Sequence, residues 1–120
     1  MPLYMIQFAY TPEAKAALAR VPEDRSVVFG RLVEDMGGRL NHFYNSMGDY
    51  DGIAIFEAPD ERAAHSIELA VSQPAHLKET KVLPLLPIEE SVEAMRAASK
   101  HEYPAPRGWL ERAHSELWGG

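Results

Sequence analysis

Apolar residues recur along this chain in two rhythms, one of period two and one of period three to four. The stretch LYMIQFAY (3–10) alternates, with Tyr4, Ile6 and Phe8 on one side and Met5, Gln7 and Ala9 on the other. It predicts a strand that stops at Thr11-Pro12. Thr11-Pro12-Glu13 has the chemistry of a helix start: a side-chain oxygen for free amides, a proline for the first turn and an acid for the positive end. The helix is expected to break near Val21-Pro22 and to restart at Pro22-Glu23-Asp24. Val28, Leu32 and Met36 then form an apolar stripe, with Phe29 and Val33 beside them, up to a stop at Gly37-Gly38. RLNHFYNSM (39–47) predicts a second strand with faces Leu40/His42/Tyr44 and Asn41/Phe43/Asn45. YDGIAIFEA (50–58) predicts a third, joined to the second by a tight turn at Gly48-Asp49. Gly52 inside that strand signals a bulge or the close approach of another backbone. Asp60 caps a helix over 61–72 whose stripe is Ala63, Ala64, Ile67, Ala70 and Val71, and Gln73-Pro74 ends it. HLKETKVLPLL (76–86) is the fourth strand, where Pro84 marks an edge or an end.

The order strand, helix, strand, strand, helix, strand is that of an α+β, ferredoxin-like βαββαβ fold, a four-stranded antiparallel sheet with two helices on one face. The other face is expected to carry Met5, Phe43, Ala54 and Phe56 among polar residues. Such a half-apolar face is expected to be covered. A second copy stacked on it would make a dimeric α/β barrel, so a homodimer or higher homo-oligomer is the expected partnership. Beyond the sheet, HEYPAPRG (101–108) reads as a linker. WLERAHSELW (109–118) reads as a short amphipathic helix with Trp109, Leu110, Ala113, Leu117 and Trp118 on one side.

Composition narrows the function. The chain has 120 residues, 46% of them hydrophobic and 25% charged, which is ordinary for one globular domain. Its 12 Lys+Arg against 18 Asp+Glu leave a net charge of -6, with no basic run, so neither nucleic acid nor an anionic membrane is an expected partner. The absence of cysteine excludes disulfides, thiolate catalysis and Cys-ligated metal sites. MPLYMIQFAY lacks a basic leader with a long apolar core, and no stretch approaches 18 apolar residues. The expectation is a soluble, cytoplasmic protein.

The block MGDYDGIAIFEAPDE (47–61), preceded by GGRLNHFY and followed by TKVLPLL, closely resembles the GYD domain, a small bacterial family named for a glycine–tyrosine–aspartate signature. Here the signature reads Gly48-Asp49-Tyr50-Asp51, with an acid between glycine and tyrosine, and MPLYMIQFAYTPE matches the family's start. The resemblance implies a ferredoxin-fold domain over residues 1–95, similar to the stress-responsive dimeric α/β-barrel proteins, followed by a C-terminal extension over 96–120. It implies no activity, and it supplies no catalytic residues.

Candidate chemistry is sparse. The five histidines, His42, His65, His76, His101 and His114, form no His-x-His or His-x-x-x-His pair, so no metal site is expected. His65 shares an acidic helical face with Glu61 and Glu68; His76, His101 and His114 read as surface. His42 is mid-strand beside Leu40 and Tyr44. It is either a hydrogen-bonded, partly buried histidine or an acid/base or ligand-orienting group. Tyr50, Asp51 and Lys81 at strand ends could hold a polar ligand or form a structural cluster. Gln7, Asn41 and Asn45 are expected together on the sheet face opposite His42, as interface hydrogen-bonders or pocket lining. No Ser-His-Asp spacing, phosphate-cradling glycine loop or paired catalytic carboxylate is present, and no cofactor is implied. The candidate ligand-binding residues are therefore His42, Tyr44, Tyr50, Asp51 and Lys81. The leading expectation is a homodimeric barrel that binds a small, partly apolar molecule between its sheets. The alternatives are a cofactor-independent oxygenase or isomerase using a pocket His or Tyr, and a structural or regulatory oligomerisation module.

Overall fold

Strand β1 (Leu3–Tyr10) buries Tyr4, Ile6 and Phe8 on one side and leaves Leu3, Met5 and Gln7 half-buried on the other, as its alternation predicts. The computed structural model describes residues 1–109 and divides into a unit Met1–Leu85 and a unit beginning at Leu86. After β1 the Thr11 hydroxyl accepts from the Ala14 amide at 3.1 Å and opens α1 (Pro12–Arg20). The chain breaks where Val21-Pro22 predicts, and the Asp24 carboxylate, accepting from the Ser26 amide at 2.9 Å, opens α2 (Arg25–Asp35). Gly37, at φ +85°, ends it in the left-handed conformation that glycine tolerates. Strands β2 (Arg39–Asn45) and β3 (Gly52–Glu57) follow. Asp60 then caps α3 (Glu61–Ser72) through the Ala63 amide at 2.9 Å, and β4 (Leu77–Leu85) closes the unit.

All pairings are antiparallel and the sheet order is β2-β3-β1-β4, the ferredoxin-like arrangement. Pro84 lies in β4, an edge strand, where the loss of a backbone donor is tolerated. The core lies between the sheet and helices α2 and α3. Tyr4, Ile6, Ala54 and Phe56 of the sheet meet Phe29 and Val33 of α2 and Ala64 and Ile67 of α3. Phe56 stacks on Tyr4 at 5.7 Å between ring centres and receives the Phe29 ring edge-on at 5.8 Å.

This packing corrects the expected assignment of faces. Met5 does lie on the open face, but Ala54 and Phe56 are wholly buried on the helix side, and Phe43 packs there too. The open face instead carries Met5, Gln7, Ile53, Ile55 and Leu83, with His42 opposite Ile55 and Tyr44 opposite Ile53. The cause in β2 is a register shift between Leu40 and His42, a bulge at Asn41 that changes the phase of the alternation. Leu40 accordingly packs against the core while His42 and Tyr44 face away from it. Gln7, Asn41 and Asn45 do not converge. Gln7 is on the open face, Asn41 sits at the bulge accepting from Arg39, and Asn45 follows Phe43 toward the helix side.

The expected tight turn at Gly48-Asp49 is a longer loop, Ser46–Asp51, and β3 begins only at Gly52. The Ser46 amide donates to the Asp51 carbonyl at 2.9 Å and its hydroxyl donates to the Tyr50 carbonyl at 2.8 Å, which closes the loop at its base. Gly52 does mark a close approach, though by a side chain: a Cβ there would lie 2.2 Å from Cζ of Phe8.

The second unit contains α4 (Ile88–Ser99), with Glu89 and Glu90 in its first turn and Arg96 in its last. Nothing in the apolar pattern had marked it, although those end charges complement a helix dipole. The expected helix over 109–118 falls, beyond Trp109, outside the described residues. Among the described residues no helix is long and apolar enough to cross a membrane.

Candidate functional site

At the end of the sheet where β1 leaves and β4 enters, residues of α2, α3 and the sheet line a cavity of about 180 Å³. Its walls are apolar: Ile6 and Phe8 from β1, Phe43 from β2, Phe29 and Leu32 from α2, and Val71 from α3. The rings of Phe8 and Phe43 lie 5.5 Å apart, and Phe29 and Phe43 5.9 Å, so one side of the cavity is almost continuous aromatic surface. Three polar side chains break it, Tyr10, Arg25 and His76.

His76 is held by backbone. Its carbonyl accepts from the Thr11 amide at 2.9 Å, tying the start of β4 to the end of β1, and its ring lies 6.1 Å from that of Tyr10. The sequence reading of His76 as a surface residue is thus corrected: it is partly buried and lines the cavity, and its Nδ1 is sealed from solvent with no hydrogen-bond partner. Burial, and secondarily the Arg25 charge, hold its pKa below the ordinary 6.5, so the imidazole is neutral at pH 7. The residue that delivers it is Ala75, at φ +60°, whose amide donates to the Ser72 carbonyl at 3.2 Å. Alanine in the left-handed region is strained. Ala75→Gly is therefore expected to stabilise the fold by about 1 kcal/mol, read as a higher urea midpoint. A midpoint at or below that of the parent would show that the turn is not strained.

Arg25 and Tyr10 also border a wider polar cleft with Glu23, Asp24, Asn45 and Asp51. The charges there are engaged. Arg25 pairs with Glu23 at 2.8 Å, and Asp51 pairs with Lys15 at 3.2 Å while accepting from the Tyr10 amide at 2.8 Å. Burial raises the Tyr10 pKa, with Asp51 and Glu23 adding to the effect and Arg25 opposing it, so its phenol stays protonated.

The residues singled out from the sequence are not gathered at this cavity. His42 and Tyr44 lie on the open sheet face, both exposed. Their rings are stacked at 5.9 Å, with the Tyr44 hydroxyl 3.4 Å from Nδ1 of His42. The trio Tyr50, Asp51 and Lys81 is divided: the Tyr50 hydroxyl donates to Glu79 at 3.1 Å, which raises its pKa, and the cation that meets Asp51 is Lys15. Lys81 stands opposite Gln7 and is exposed. His65 is exposed and 3.5 Å from Glu68, in line with its acidic helical face. The cavity's own polar residues, Tyr10, Arg25 and His76, carry no local signature. The one signal was indirect, a histidine placed between a helix-ending proline and a strand. Among the described residues no group of three His, Asp or Glu side chains is placed to hold a metal ion.

Comparison with curated proteins finds no match. Among solved structures, the Thermus thermophilus protein TTHA0845 aligns with a TM-score of 0.48 at 12% identity, over 88% of this chain and 100% of that one. FFRP-DM1 aligns with a TM-score of 0.45 at 15% identity, over 72% of this chain and 100% of that one. The hypothetical protein PHS023 of Pyrococcus horikoshii aligns with a TM-score of 0.44 at 11% identity, over 72% of this chain and 92% of that one. The sequence profile of the GYD domain matches residues 4–95, across the whole sheet, its helices and the first part of α4. The chain belongs to the GYD domain family.

Proposed function

We propose that this protein binds a small, largely apolar molecule in the cavity beneath α2 and α3, and that two copies pair through their open sheet faces. The observation that carries the first part is the cavity itself, about 180 Å³ of apolar space broken by a few polar side chains. That is the usual composition of a small-molecule site. The ligand space proposed here lies on the helix side of the sheet, whereas the sequence pointed to the space between two sheets. Pairing is supported by the half-buried Met5, Ile53, Ile55 and Leu83 on the open face, since covering apolar area contributes about 25 cal/mol per Å².

A titration with toluene tests the binding. Amide signals of Ile6, Phe29 and Val71 should move, and Ala70→Leu, which adds bulk to the cavity wall, should abolish the change. Shifts scattered over the surface, or none, would defeat the reading. Light scattering on the same sample should give a dimer mass, and a monomer at micromolar concentration would defeat the pairing.

A further inference from the structure

Size and the polarity of three side chains decide what kind of molecule the cavity admits. A dry apolar cavity of about 150 Å³ holds benzene. The space here, about 180 Å³ and open on one side, is of a size for one six-membered ring with a small substituent.

The polar groups are all donors. The Arg25 guanidinium can only donate, and the Tyr10 phenol is kept protonated by burial and can donate. In neutral His76 one ring nitrogen carries the proton and the other accepts. Nδ1 is sealed from solvent without a partner. A sealed orphan acceptor is better tolerated than a sealed orphan N–H, so the proton sits on Nε2. His76 thus offers Nε2–H. Arg25 is already engaged by Glu23, so Tyr10 and His76 are the donors that an occupant has to match with an acceptor, or desolvate without compensation.

Charge decides the acceptor's type. The polar cleft that shares Tyr10 and Arg25 with the cavity carries Glu23, Asp24 and Asp51. Its one base, Arg25, is paired with Glu23, and the Lys15 that meets Asp51 is likewise engaged, so among the described residues no free cation stands by there to receive an anion. A carboxylate would enter unpaired.

We infer that the occupant is an uncharged molecule of about one aromatic ring bearing a single oxygen acceptor, of the aryl ketone kind, with its oxygen turned to Tyr10 and His76. This rests on the proposed binding role of the cavity.

Calorimetric and NMR titrations of the full chain with acetophenone, cumene and benzoate test it. Cumene has nearly the shape of the ketone without its oxygen, and benzoate adds the charge. Acetophenone should bind at least tenfold more tightly than cumene, with benzoate weakest. Tyr10→Phe and His76→Phe should each weaken acetophenone about three- to tenfold and leave cumene within twofold. Two variants are used so that a folding defect in one, seen by circular dichroism, leaves the other as the test. The His76 ring signals should move with the ketone and not with cumene. Equal affinity for cumene and acetophenone would overturn the inference and leave the cavity reading standing, as would tightest binding by benzoate. Toluene binding without acetophenone binding would do the same. If toluene also fails to bind, the cavity reading falls and this inference with it.

Discussion

Phe56→Ala is expected to lower the unfolding free energy by about 3–5 kcal/mol, the largest single loss in the molecule. The Phe56 side chain is 0% exposed and lies in the central strand pair opposite Tyr4. It joins the two halves of the core, stacking on Tyr4 of β1 and taking the edge of Phe29 from α2. Truncation removes the transfer term of a whole ring and leaves a space that rigid neighbours on a sheet fill poorly. Against a total of about 5–15 kcal/mol for a domain of this kind, most of the margin disappears. Urea unfolding followed by far-ultraviolet circular dichroism measures it, and a loss below about 2 kcal/mol would mean that Phe56 is not the centre of the core.

Gly52→Ala should cost about 1–3 kcal/mol by overpacking, although alanine is elsewhere a mild substitution. The added methyl would sit 2.2 Å from Cζ, 2.7 Å from Cε2 and 3.0 Å from Cε1 of Phe8, so the ring has to move. It has little room, because Tyr10 and Phe43 each hold it with ring centres 5.5 Å away. The companion change Phe8→Leu, which shortens the side chain at that point, should recover part of the loss in a double-mutant cycle. Strictly additive costs would locate the defect elsewhere, in the strand's backbone. Phe8 also lines the cavity, so Gly52→Ala should alter the toluene response, which Phe56→Ala has no direct route to do.

Those two residues show where sequence patterns carried structural information and where they did not. The starts of α1, α2 and α3 were legible because each depends on one local side chain, Thr11, Asp24 or Asp60, bonded to an amide two or three residues on, whereas α4 opens at Pro87 with no side-chain cap. Strand order followed from the succession of elements, and the edge position of β4 from Pro84. The faces of β3 were not legible. In Ile53-Ala54-Ile55-Phe56 every position is apolar, so no alternation tells inside from outside, and only the pairing of Phe56 with Tyr4 does so. In β2 the alternation was real, but the bulge at Asn41 breaks its phase, and a bulge is a property of the ladder between two strands. The cavity was hidden for a related reason. Tyr10, Arg25 and His76 are far apart in the chain and meet only once β4 has paired with β1.

The place of β1 in the sheet has a consequence for how the protein is made. It precedes the other three strands of the sheet in the chain, yet it is an inner strand, flanked by β3 and β4. Its outer neighbour on one side is complete only when Leu85 has been added. At about 5–20 residues per second, roughly 4–15 s separate the emergence of the two partners from the ribosome. Over that interval a nascent chain holds out one of its most apolar strands with an unpaired edge, first on both sides and then on one. The strand that organises the finished sheet is therefore the segment most in need of shielding during translation. The order in which the chain leaves the ribosome, more than its final stability, sets when that need ends.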